Sequence, residues 1–86
     1  MIHARRDYNE RIQDSAHLIP EDCPVFLIIA KDQVSADAVR NWAHLHRVNG
    51  GSDTAFTLAM AHADRMEQWG KVHGTKGADV PPEGMP

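Results

Sequence analysis

The sequence predicts a small, mainly α-helical domain built around an antiparallel helical hairpin. Three observations predict it. Two helix-patterned stretches, one from Ser35 to Val48 and one running to about Val72, each open on a capping residue, Ser35 in the first and Ser52 or Asp53 in the second. Asn49-Gly50-Gly51 separates them, and glycine accepts the left-handed backbone that ends a helix. At 86 residues the chain has room for one domain and no second core. The expected division is a helical domain over 1–73 and an extended or flexible C-terminal tail over 74–86.

Residues 1–19 are charged, with apolar side chains at Tyr8, Ile12, Ala16 and Ile19. Steps of four, four and three place these on one stripe of a short amphipathic helix, which Pro20 ends. Glu21-Asp22-Cys23-Pro24 follows, and then the apolar run from Val25 to Ala30. Two readings of this run stay open. Asp22 can cap a helix that carries Pro24 in its first turn. Alternatively the β-branched and aromatic run is a short strand over 25–30. The chain offers no convincing partner strand, so the same strand of a second subunit would have to pair with it.

In the third segment Ser35 is the expected cap, and Asp37 favours the helix dipole. Val39, Trp42, Leu45 and Val48 recur every third position, drifting slowly around one face of the helix. In the fourth segment Ala55, Phe56, Leu58, Ala59, Met60, His62, Ala63, Met66 and Trp69 span just over half the circumference. A face that broad predicts more than one neighbour, so Phe56, Ala59, Met60, Ala63, Met66 and Trp69 are the expected interface with a second copy. Trp42 and Trp69 read as core residues; exposed, Trp69 would mark a contact hot spot. Beyond Gly70 the composition turns to Gly, Lys and Pro, which cannot build a core. Pro81-Pro82 would stiffen an arm lying on a partner.

Composition narrows the function classes. A formal charge of −3 argues against DNA, since phosphate binding needs a basic excess. Cys23 stands alone, so no internal disulfide is expected. The polar N-terminus has no signal-peptide core, and the longest apolar run is six residues against the roughly twenty of a membrane span. A reducing cytoplasm is the expected compartment. The 42% apolar content supports a folded chain. A chain this short buries only about 60% of its unfolded surface, so association into a dimer or higher oligomer would help it.

The six histidines raise the question of metal. His44 and His46 stand ~200° apart on a helix and cannot share one ion, and His62 and Asp64 fail in the same way; no metal and no cofactor is expected. Glu21 and Asp22 would raise the Cys23 thiol rather than activate it. No nucleophile elbow or phosphate loop is present, so a non-enzymatic protein is expected. One cluster mixes cations, an aromatic ring and an amide: Arg5, Arg6, Tyr8, Asn9 and Arg11, with Lys31 able to join if the chain folds back. Such a set can grip a phosphate and stack a base. Its plainer reading is a solvated helix whose charges pair locally, as Asp7 and Arg11 would.

The strings Tyr8-Asn9-Glu10-Arg11-Ile12 and Ile19-Pro20-Glu21-Asp22-Cys23-Pro24-Val25-Phe26-Leu27 carry a resemblance, with Val39-Arg40-x-Trp42-Ala43 and His62-Ala63-Asp64-Arg65-Met66-Glu67-x-Trp69. Together, over residues 8–70, the chain resembles small accessory proteins of tailed bacteriophages and prophages. Cys23 stands where the resemblance implies an acidic residue. The resemblance implies a bacterial host cytoplasm and no particular mechanism. In that setting the first expectation is a protein-binding module that oligomerises and engages a host or phage protein, with inhibition of a host defence as one role. The alternative is an oligomeric binder of a nucleotide signal, with the Arg5–Arg11 cluster and Lys31 lining a pocket between subunits.

Overall fold

The computed structural model describes residues 1–4 and 12–77. They form β1 (Ile2–His3), β2 (Pro24–Val25), α1 (Ser35–Val48) and α2 (Asp53–His73) in that order. The two helices hold half of the described residues, so the protein is mainly helical, with a helical hairpin as expected. The described residues fall into two compact units, one within Met1–Leu27 and one within Ile28–Asp79. The domain expected over 1–73 thus spans both.

The first unit departs from the sequence reading. Where a helix was expected over 1–19, Ile2–His3 is a strand and residues 12–19 run through turns; residues 5–11 lie outside the described residues. Asp14 supplies the reason. Its carboxylate accepts from the Leu18 N–H at 3.0 Å and the Ile19 N–H at 2.9 Å, so the side chain takes donors a helix would need. Those bonds hold the Asp14 carboxyl below its ordinary pKa. His17 closes the turn in the left-handed region at φ 53°.

The run after Pro24 is corrected as well. Only Pro24–Val25 is strand, and the residues from Phe26 to Ile29 are neither strand nor helix. Its partner is not a second subunit but β1, paired in parallel with Ile2 opposite Pro24 and His3 opposite Val25. The Met1 amino group anchors the pair, donating to the Pro20 carbonyl at 2.7 Å and the Glu21 carbonyl at 2.6 Å.

The second unit is the hairpin. Val34 takes the cap position of α1 and Ser35, expected there, is its first helical residue and is buried. No side chain caps the first turn of α1; just before it, the Asp32 carboxylate accepts from the Val34 N–H at 3.0 Å. At the other end the Gly51 N–H reaches the His46 carbonyl at 2.8 Å and the Gly50 N–H reaches Arg47 at 3.1 Å. That bond pair is a Schellman motif, and Gly50 holds its left-handed position at φ 92°. Ser52 then caps α2, its hydroxyl accepting from the Ala55 N–H at 3.1 Å. After Gly74 the chain returns: the Lys76 N–H donates to Lys31 at 3.0 Å and the Gln33 N–H to Lys76 at 2.9 Å. The open end of the hairpin is thereby tied. Residues 78–86, which hold the rest of the expected arm, lie outside the described residues.

Turn chemistry should therefore be the hairpin's sensitive point. Gly50→Ala places a Cβ at positive φ and is expected to cost about 1 kcal/mol. Ser52→Ala loses the cap and is expected to cost about 1 kcal/mol. Equilibrium unfolding of each variant measures both losses.

Candidate functional site, an exposed apolar face

The packing of α1 on α2 decides which side chains are left over. Among the described residues the buried apolar side chains are Ala43, Ala63 and Met66, and no large side chain is fully buried. Val39, Phe56, Ala59 and Met60 are half-buried. His44 packs edge-on against the Phe56 ring at 5.1 Å and the Arg47 guanidinium lies 4.6 Å above it. Much of the face expected to meet a second copy is therefore used inside the hairpin. Ala63 and Met66 are closed to any partner, while Trp69 stays 41% exposed.

The stripe expected on α1 is also corrected. A step of three residues falls ~60° short of a full turn, so Val39 and Val48 stand ~180° apart. The inward positions are Val39, Ala43 and His46, within ~60° of one another. Trp42, Leu45 and Val48 drift outward and are 53%, 54% and 84% exposed.

Charge marks one flank of the hairpin. Arg40 of α1 pairs with Asp64 at 2.9 Å and Glu67 at 3.1 Å on α2, and with Asp37 at 3.3 Å on its own helix. The first two carboxylates hold Arg40 still more firmly in its charged form than usual. Arg47 reaches Asp53 at 3.3 Å, and Lys71 reaches Glu67 at 3.7 Å, on the same side. Trp42 and Leu45 lie on the other flank of α1, about 60–120° from the inward direction. On α2 the residues opposite the Asp64 flank are Leu58, His62, Trp69 and His73 by the same count. Because the ion pairs close one surface, these two sets share the other.

That surface is apolar and structured. The Trp42 ring stacks on His46, with centroids 4.8 Å apart and planes 9° from parallel. Trp69 stacks on His73 at 4.3 Å and 18°. Each indole is steadied by a ring one turn along its own helix, so neither needs much ordering on contact. His46 in turn sits over Gly51, so tightly that a Cβ there would overlap its ring. The His44 and His46 side chains point to different partners, as their ~200° separation requires.

Of the residues expected around a nucleotide, Arg5, Arg6, Tyr8, Asn9 and Arg11 lie outside the described residues. Lys31 is exposed, and its carbonyl holds the Lys76 bridge. A nearby cleft of about 340 Å³ lies at the start of α1, between Ser35 and Gly70. Its walls carry Asp32, Asp37 and Glu67 against Lys71, a balance that repels a phosphate. Within the described residues no group of three or more His, Cys, Asp or Glu could hold a metal ion. No described helix is long and apolar enough to cross a membrane.

Ala63 lies in the tightest part of the hairpin, so enlarging it tests the packing. Ala63→Leu is expected to cost about 1–3 kcal/mol by overpacking, read as a lower unfolding midpoint. Comparison of the chain with protein-family models, with curated proteins and with solved structures finds no match.

Proposed function

We propose that this protein is a non-enzymatic protein-binding module whose contact surface is the apolar face of its hairpin. The observation that carries the reading is the pair of ring-stacked tryptophans, Trp42 and Trp69, left half-exposed on the side of the hairpin that also carries Leu45 and Leu58. Preordered, accessible indoles are among the side chains most enriched in binding hot spots.

The resemblance to accessory proteins of tailed phages supplies the setting. There the module works in the cytoplasm of a bacterial host, on a host or phage protein, and blocking a host defence is the role proposed for it. The acidic walls of the cleft beside α1 give no support to a nucleotide-sequestering role at that position.

A photo-crosslinking side chain placed at Leu45, and separately at Gln68 on the polar side of α2, tests the reading in the expressing bacterium. Adducts with polypeptide are expected at Leu45 and not at Gln68. A Leu45 probe that captures no polypeptide would overturn the reading, as would a nucleotide-induced thermal shift that Trp42→Ala leaves intact.

A further inference from the structure

We infer that the occupant of this face is a second copy of the same chain, so that two hairpins pack face to face as an antiparallel four-helix bundle. The inference rests on the protein-binding reading and names its partner. Three features of the molecule carry it.

First, the hairpin needs a cover. Its buried apolar side chains within the described residues are two alanines and a methionine. Helices of 14 and 21 residues draw most of their stability from packing of an apolar face, and so small a core supplies little. A protein that needs a cover in order to stay folded must find it wherever it is made, and a second copy is present from synthesis onward.

Second, the surface suits its own image. On α2, Leu58, His62, Trp69 and His73 follow one another in steps of four, seven and four, apolar side chains alternating with imidazoles along one seam. Val34, Ala38, Trp42 and Leu45 follow in steps of four, four and three on α1. The carboxylates of the hairpin, Asp37, Asp53, Asp64 and Glu67, lie off this surface, on or toward the charged flank. Two copies of a chain with net charge −3 can therefore meet here without opposing carboxylates. A two-fold contact of this kind is self-complementary, as closed dimers require.

Third, the size sets the strength. The shared length of the two helices is ~20 Å at 1.5 Å per residue, and two helices ~10 Å apart present a width of ~20 Å. The projected area is then ~400 Å² per copy, about half that of a standard interface, so the dimer is a weak one that separates on dilution.

Light scattering on the full chain, joined to isotope-filtered NMR on a mixture of labelled and unlabelled protein, tests this. The expected mass is twice the 9.6 kDa of one chain. Contacts between copies are expected from the Trp42 and Trp69 indoles and the Leu45 and Leu58 methyls. Leu45→Glu with Leu58→Glu should weaken the dimer at least ~100-fold, about 2.7 kcal/mol, while Gln68→Glu on the polar side should not. A monomer at every concentration, or a dimer whose intermolecular contacts avoid these four residues, would overturn the inference. In the monomer case, polypeptide adducts at Leu45 would keep the protein-binding reading alive with a different partner. Absence of such adducts would end both.

Discussion

The close approach of α1 and α2 over small side chains is the constraint on which the second unit depends. Ala43 and Ala63, two of the smallest side chains, are fully buried. Helices brought this near can share a flank of short ion pairs, and Arg40 spans the gap to both Asp64 and Glu67. The same closeness leaves no interior for large side chains. Tryptophans and leucines that a thicker core would absorb are displaced to the remaining surface. The polar flank and the apolar flank are thus two results of one spacing.

The turn and the caps make that spacing possible. The Schellman bonds from Gly50 and Gly51 reverse the chain without a long loop, and the Ser52 hydroxyl starts α2 at once. At the far end, Lys76 pairs with the segment before α1, and Gly70 is buried where a Cβ would come within 2.6 Å of the Thr75 methyl. A larger residue at 70 would force the Thr75 methyl aside. Both ends of the hairpin are therefore fixed by backbone geometry, and its middle is fixed by alanines.

Much of this was legible in the sequence because the signals are local. Ser52, the Asn49-Gly50-Gly51 stop and the length of α2 could be read from a few neighbouring residues. The face of α1 was not, because a repeat of three looks like a stripe while it turns through half a circle between Val39 and Val48. The expected interface on α2 was placed on the side that α1 itself uses at Ala63 and Met66. Ion pairing was the signal that could have corrected it: Arg40 and Arg47 mark the flank of α1 that must lie beside Asp64 and Asp53. In the first unit, two-residue strands carry no periodicity at all. The parallel pairing of Ile2–His3 with Pro24–Val25 joins residues far apart in the chain, which no local pattern reports. The Ile12, Ala16 and Ile19 spacing suggested a helix, but Asp14 gave the Leu18 and Ile19 amides another acceptor.

The central claim is that the hairpin's own core is too small to hold its helices, so their order depends on what covers Trp42, Leu45, Leu58 and Trp69. Amide hydrogen exchange in α1 and α2, followed as the full-length protein is diluted, tests it most directly. The account predicts that protection falls as the cover is lost and that it falls in both helices together. Protection that stays constant down to the lowest concentration, in a chain shown to be monomeric with both indoles open to solvent, would contradict it.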